Sequence, residues 1–399
     1  MSAAGFGIYV HWPFCAAKCP YCDFNSHVRT RIDENSWTRA IASELAYVAT
    51  ELAPSHKTVT SVFFGGGTPS LMGGNAVGGT LGEIAKLWRV AADVEITLEA
   101  NPASADAARF RDYREAGINR ISLGIQALND RDLAFLGRLH DSAEAAAAVR
   151  LATSLFERVS IDLIYGRPEQ TTAQWRNELR GALAFGTEHL SLYQLTIEEG
   201  TPFAALVRTG ALIPLGEEPA ADLYETTQEI MEDARLPAYE ISNHARPGRE
   251  CRHNLLYWRY GCYAGVGPGA HGRLARKAGR IATATERLPE RWLSRVACDR
   301  HGICEIIEVK PAEAAREHLL MNLRLAEGID LEDYFAQWGI RIDCERVAAL
   351  ADAGVVEQHG ARLMATRKGR LVLNAVISAL AETGDPSTIR TPGMSSVRG

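Results

Sequence analysis

Apolar runs are short throughout this chain, and none reaches the roughly 20 residues a helix needs to cross a bilayer. No basic segment followed by an apolar stretch stands at its start, so no secretory signal is expected. Cysteine is scarce, with 8 in 399 residues, and five of the eight (Cys251, Cys262, Cys298, Cys304 and Cys344) are scattered without paired spacing. That excludes the disulfide framework of a small secreted domain and points to a reduced, cytoplasmic protein. Neither charge dominates: Lys+Arg 43 against Asp+Glu 49 gives a net charge of −6. A nucleic-acid partner is therefore not expected, because such proteins present a strongly basic face.

What is present is material for a core, 46% hydrophobic residues, on a length that suggests one large domain with one or two small ones. Strand and helix patterns alternate through the first half. Strands are expected at Ile8–Val10, Val59–Phe64, Glu95–Glu99, Arg120–Ile125, Val159–Tyr165 and His189–Thr196, and helices at Trp37–Leu52, Leu81–Val90, Ala105–Ala116, Ser142–Leu155 and Ala173–Phe185. This alternation predicts an α/β fold, a parallel sheet rolled by right-handed crossovers into an incomplete (β/α)6 barrel over residues 1–210. Residues 211–310 read as a less regular linking region. From 311 to 382 helices and a small hairpin at Val355–Gln358 and Arg362–Ala365 predict a helical, winged-helix-like domain. Its many acidic residues favour packing or docking over DNA. The tail, 383–399, is expected to be disordered.

The other three cysteines stand together, in Cys15-Ala-Ala-Lys-Cys19-Pro-Tyr-Cys22. A [4Fe–4S] cluster is usually held by four thiolates. Three leave one iron open to a substrate or cofactor. The alternative is a structural zinc site, which needs a fourth ligand from His11, Asp23 or His27. In β/α barrels the working residues lie at the strand C-terminal ends, and distinctive residues fall there in succession. Gly65-Gly66-Gly67-Thr68-Pro69 follows the second strand, with a tight turn as its plain reading. Glu99 ends the third strand and Gln126 the fourth, and Arg138 lies twelve residues on. Asp162 is a charge flanked by apolar residues, which must be paired or functional.

The cysteine spacing resembles that of the radical S-adenosylmethionine superfamily. Phe63–Ser70, Leu98–Pro102 and Leu123–Gln126 resemble the group within it that contains the oxygen-independent coproporphyrinogen III oxidases, from about Gly7 to Leu380. The resemblance implies cluster ligation by Cys15, Cys19 and Cys22. It implies S-adenosylmethionine contacts from Tyr9, Tyr21, Gly67, Thr68, Glu99, Gln126, Arg138 and Asp162, with Thr196 a weaker match, and a C-terminal domain like that of the oxidases. Those oxidases carry a further cysteine two positions after the third ligand, where this chain has Phe24.

His253-Asn-Leu-Leu-Tyr257-Trp258 resembles the signature of the heme chaperone family HemW, as do Tyr239–Asn243, Gly265–Gly272, Met321–Leu325 and Lys368–Arg370. Imidazole is a common axial ligand of heme iron. Tyr257 and Trp258 offer flat apolar faces with polar tips, and Arg249 and Arg252 suit propionates. The plain alternative is a core histidine packed among aromatics. His271 is a second candidate, and His244 and His11 are weaker ones. The expectation is a heme site at His253, apart from the barrel's cofactor pocket, in a chaperone passing heme to apo-cytochromes or respiratory enzymes, with transient contact at a membrane side. The alternatives are a coproporphyrinogen III oxidase and a radical enzyme acting on another substrate.

Overall fold

A computed structural model of the protein describes residues 5–53, 57–276 and 279–381, so the tail expected to be disordered lies outside the described residues. Six parallel strands form the centre of one open sheet: β1 (Phe6–Trp12), β2 (Thr58–Gly66), β3 (Arg89–Ala100), β4 (Arg120–Gln126), β5 (Arg158–Tyr165) and β6 (His189–Gln194). Helices α1 (Glu34–Tyr47), α2 (Gly74–Leu87), α3 (Ala107–Ala116), α4 (Ser142–Leu155) and α5 (Thr172–Leu183) connect them in turn. The helix ends follow local chemistry. Asp141 and Thr171 each close a capping box, with Glu144 and Gln174. Gly117 stops α3 at φ +111. Helix α2 begins seven residues before the expected Leu81, through a glycine-rich segment. Glycine disfavours helix by about 1 kcal/mol each, but here it permits close packing: a Cβ on Gly74 would lie 2.6 Å from the Asp112 side chain.

Apart from local register shifts the strands alternate, and the alternation divides the sheet's two faces. Ile8, Val10, Val62, Phe64, Leu98, Ile121, Leu123, Ile161, Leu163 and Leu190 are buried in the core shared with the crossover helices. The residues between them, paired across neighbouring strands, are Tyr9 with Phe63, Glu99 with Ser122, and Asp162 with Ser191. Parallel strands are usually apolar on both faces. A polar inner face marks a surface kept for something other than packing.

The stretch read as a linking region is more regular than expected and carries five further strands of the same sheet. Helix α6 (Glu217–Asp233) is followed by β7 (Asn243–Ala245), antiparallel to β6. Helix α7 (Arg252–Trp258) then precedes β8 (Cys262–Val266), which returns to pair parallel with β1. Strands β9 (His271–Arg276), β10 (Gly279–Thr285) and β11 (Ile303–Val309) continue antiparallel, giving eleven strands in the order β11-β10-β9-β8-β1-β2-β3-β4-β5-β6-β7. Helix α8 (Pro289–Asp299) links the last two. Buried Glu44 of α1 ties this extension down. It accepts from the backbone N–H of Gly267 at 2.7 Å, that of Gly302 at 2.6 Å, and from Trp292 Nε1 at 3.2 Å. Burial still pushes its carboxyl up to about 7.

The C-terminal module has its own apolar cluster, including Leu319, Leu323, Tyr334, Val347, Leu363 and Ile377. Helices α9 (Pro311–Asn322), α10 (Leu331–Trp338) and α11 (Cys344–Asp352) surround a small sheet of β12 (Ile329–Asp330), β13 (Val356–His359) and β14 (Arg362–Ala365). The chain then ends its described residues in two helices, α12 (Arg367–Leu371) and α13 (Leu373–Ala381), separated at Val372. Among the described residues no helix is long and apolar enough to cross a membrane.

Candidate functional site

The cysteine loop leaves β1 at the C-terminal edge of the sheet. Phe14–Cys15 pairs in parallel with His27–Val28, which pins both ends of the loop. Inside it the Cys22 N–H donates to the Cys19 carbonyl at 3.2 Å. Cys15 is buried, and Cys19 and Cys22 are partly exposed. Burial raises the thiols of Cys15 and Cys22; Cys15 also feels Cys19 and Cys22, and Cys22 feels Cys19, so the three are electrostatic neighbours. Two donors point at the sulfurs: Thr68 Oγ1 lies 3.3 Å from Cys15 Sγ and Arg138 Nη1 3.5 Å from Cys19 Sγ. Such contacts suit a cluster, whose potential responds to hydrogen bonds to sulfur. A zinc ion would in addition need a fourth ligand from His11, Asp23 or His27. His11 is occupied by Tyr9 Oη at 3.1 Å and the Asn25 carbonyl at 2.9 Å, and His27 by Asn25 Oδ1 at 3.2 Å. Among the described residues no three His, Cys, Asp or Glu side chains converge as ligands of a metal ion.

The residues assigned to S-adenosylmethionine gather around this loop. The Gly67 N–H donates to the Trp12 carbonyl, and a Cβ on Gly67 would stand 2.7 Å from the Phe14 carbonyl oxygen, so glycine is required there. Gln126 ends β4 at φ +74, in the left-handed region that non-glycine residues seldom occupy. Its Oε1 and the Nε of Arg138 are buried without a partner. Buried polar atoms are nearly always paired, so these two fit a polar ligand between them. A small cavity of about 80 Å³ runs between Cys19, Thr68, Asn101 and Arg138. Tyr21 packs near Phe203, with ring centroids 6.4 Å apart. Thr196 is exposed, two residues past the end of β6.

Deeper in the half barrel, Tyr9, Glu99 and Asp162 line a cavity of about 210 Å³. Burial raises the Glu99 carboxyl to about 8, and facing Asp162 adds to it. Burial raises Asp162 as well, opposed by Ser191, Arg120, Ser122 and Ser160. Ser122 Oγ donates to both Asp162 oxygens, at 3.1 and 3.2 Å. This serine shell and buried Arg120 were absent from the sequence reading. The signal for them is a serine in the interior of each of three apolar strands.

The His253 segment is built into the sheet. Helix α7 packs against β1, β2 and β8, with its N-terminus held by buried Glu95. Glu95 accepts from the N–H groups of Arg252 and His253, both at 3.1 Å, and pairs with Arg158 at 2.7 Å. His253 is 1% exposed. Its Nδ1 lies 2.8 Å from Ser61 Oγ and its Nε2 3.0 Å from Tyr257 Oη, and it stacks on Phe63. Both ring nitrogens are thus taken, and iron ligation through either one would break a buried hydrogen bond. The expected separation from the cofactor pocket also fails, since His253 and Tyr257 line the same cavity as Glu99 and Asp162. Trp258, the neighbour of Tyr257 on a helix, points about 100° away, and its carbonyl accepts from Asn322 of the C-terminal module. Arg249 pairs with Glu157 and Glu188, and Arg252 with Asp93, so neither waits for a propionate. His244 is buried in β7 beside Gln228.

A wider cavity of about 630 Å³ opens above the inner one and shares Tyr9, Glu99 and Tyr257 with it. Phe24, His271 and Arg287 stand along it.

An open parallel half barrel with three cysteines in the loop after its first strand is a radical S-adenosylmethionine fold. The Radical SAM superfamily matches residues 9–180, and the HemN C-terminal domain matches residues 309–372. Heme chaperone HemW of Mycobacterium tuberculosis is 36% identical, over 95% of this chain and 96% of its own. The Escherichia coli protein of that name is 34% identical over 93% and 96%. Radical S-adenosyl methionine domain-containing protein 1, mitochondrial, of Bos taurus is 36% identical over 96% and 89%. Among solved structures, coproporphyrinogen III oxidase (HemN) of Escherichia coli superposes with a TM-score of 0.80, covering 95% of this chain and 90% of that one at 20% identity, a likeness of fold. The chain belongs to the HemW family of radical S-adenosylmethionine proteins.

Proposed function

We propose that this protein is a cytoplasmic heme chaperone that binds heme and passes it to acceptor hemoproteins, such as cytochromes or respiratory enzymes, while carrying a [4Fe–4S] cluster and S-adenosylmethionine. The observation that carries the reading is the wide aromatic cavity beside the cysteine loop, with Phe24, 63% exposed, at its rim. Phe24 shares that cavity with the rings of Tyr9, Tyr257 and Tyr263, and flat aromatic faces of this kind suit a flat apolar macrocycle.

In this reading Cys15, Cys19 and Cys22 hold the cluster, which supplies an electron when present. Thr68 and Arg138 donate toward its thiolates. Gln126 and Arg138 offer their unpaired polar atoms to S-adenosylmethionine, and Gly67 lets the cysteine loop pack close beside that site. Glu99 and Asp162 receive hydroxyl groups at the inner wall. Tyr257 is part of the heme wall, and His253 positions it. The second reading is coproporphyrinogen III decarboxylation. Phe24, at the place where the oxidases carry a cysteine, speaks against it.

Both readings are tested on protein purified and reconstituted without oxygen. Iron and sulfide analysis should give one cluster per chain, lost in Cys19→Ala. S-Adenosylmethionine should perturb the paramagnetic resonance spectrum of the reduced cluster. Heme should bind, and coproporphyrinogen III should remain unconverted. Formation of protoporphyrinogen by a chain that fails to bind heme would overturn the proposal in favour of the oxidase.

A further inference from the structure

We infer that His271 of β9 ligates heme iron, with the macrocycle seated in the wide cavity between Phe24, Tyr257 and Tyr263. This rests on the heme-chaperone reading and names the site that such a protein would use.

The first observation is a census of imidazoles. Ten of the eleven histidines lie among the described residues. Nine of those ten have a hydrogen bond or ion pair on the ring: His11, His27, His140, His189, His244, His253, His301, His318 and His359. His271 has none among the described residues. It is also exposed, and it lines the cavity of about 630 Å³. That volume falls within the few hundred to 1,000 Å³ of ordinary ligand pockets. A ring nitrogen that is free, reachable and set at a cavity is what axial ligation requires. Burial, with Arg273 and Arg287 nearby, lowers the pKa of His271, which keeps its lone pair available at neutral pH.

The second observation is how the strands shape the wall. His271 pairs with Ala284, and Ala284 with Glu305, so the three form one row across β9, β10 and β11. Neighbouring strands lie about 4.8 Å apart, so His271 and Glu305 stand roughly 10 Å apart, with only a methyl group between them. The row is open where a larger residue would fill it. A register shift at Ala284/Thr285 brings both Cys304 and Glu305 to the cavity, as bulges do when they re-aim a side chain. The backbone of His271 is fixed, because Gly265 lets β9 approach closely: a Cβ there would stand 2.0 Å from the His271 carbonyl oxygen.

The third observation is the opposite wall. Tyr257 and Tyr263 meet edge to face with centroids 4.3 Å apart, and Tyr257 Oη is tied to His253. The ring held by His253 is therefore a rigid apolar face, which assigns His253 a positioning role. Arg287 stands exposed at the rim with no ion pair among the described residues. Its carbonyl accepts from Asn25 Nδ2 at 2.9 Å, which anchors the segment. A guanidinium there suits a propionate.

The test is titration of the cluster-loaded full chain with ferric heme, followed by Soret difference spectra and by the ferric heme resonance signal. His271→Ala should weaken binding by at least about tenfold, the scale on which metal sites lose affinity when even an outer partner is removed, and should lose the histidine-type signal. Added imidazole should restore that signal by filling the vacant ligand position. His253→Ala should keep the histidine-type spectrum, with weaker binding through the loosened Tyr257. If His271→Ala binds with unchanged spectrum and affinity while the unaltered chain binds heme, this assignment is overturned and the chaperone reading stands. Loss of the signal in Cys304→Ser with His271→Ala unaffected would overturn it too. Absence of heme binding by the unaltered chain would overturn both.

Discussion

Glu99 is a carboxyl that its surroundings keep protonated. Burial and facing Asp162 raise it to about 8, so in the ligand-free protein its ionisation opposes the fold. A carboxyl raised in the folded state contributes stability below its unfolded pKa, near 4.5, and that contribution is lost as pH rises toward 8. Glu99→Gln should remove this loss. The difference in unfolding free energy between variant and wild type, measured by urea at several pH values, should shift in favour of the variant from pH 5 to pH 8. A difference constant across that range would show that Glu99 ionises freely. At this scale the sequence was legible where the chemistry is local. Three cysteines within eight positions, a glycine run and an acid at a strand end all carry their own reasons. The surroundings of His253 were not legible, because its partner Ser61 lies 192 positions away. Arg249 and Arg252 likewise find their carboxylates on distant strands and loops. Propensity carries no trace of such pairings.

Helix α7 is seven residues long, too short to persist unaided, and Glu95 holds it in place. That carboxylate caps two N–H groups of the helix and pairs with Arg158. Burial opposes its ionisation, but Arg120 and Arg158 outweigh burial and hold it below the usual carboxylate range. The stability it contributes is therefore present above about pH 4.5 and is lost as pH falls through its lowered pKa. Glu95→Ala should cost roughly 3–5 kcal/mol at neutral pH, because it leaves buried cations unpaired, and should also lower heme affinity through the displaced Tyr257. Chemical denaturation with a heme titration on the same preparation measures both, and an unchanged midpoint would refute the capping role. The six central strands were legible as elements because each alternates or runs apolar between helices with clear stops. Strands β8 to β11 were not. Segments such as His271-Gly-Arg-Leu-Ala-Arg276 are rich in arginine and glycine, and their strand state comes from pairing along a sheet whose first strand starts back at Phe6.

The molecule as a whole is a sheet with a second core docked against its extended end, and the join pairs an apolar cluster of Tyr260, Val309, Ala314, Met321 and Trp338 with a set of polar contacts. Glu317 of α9 receives Tyr260 Oη at 2.7 Å and Arg273 Nη2 at 3.1 Å, while Arg280 lies 3.9 Å over the Tyr260 ring. Arg259 pairs with Glu327 at 2.7 Å, and Asn322 donates to the Trp258 carbonyl at 2.9 Å. Two members of this join, Trp258 and Arg259, stand at the end of the helix that carries His253 and Tyr257. Arg273 lies on the strand that carries His271. The C-terminal module therefore braces both walls of the wide cavity without lining it. Its helices and hairpin were readable from periodicity, but its partner surface was not, since that surface is built from the stretch that read as a linker. Glu317→Ala should leave Arg273 and the buried Tyr260 hydroxyl without their acceptor, at about 1–3 kcal/mol for each unsatisfied group. The loss should localise: amide hydrogen exchange should quicken across 311–381 and in β9, while iron and sulfide content stay at wild-type levels because the cysteine loop is held by β1 and β2. Heme affinity should fall with the loosened wall. Exchange and heme binding both identical to wild type would mean that the module is held by its apolar contacts alone and has no part in shaping the cavity.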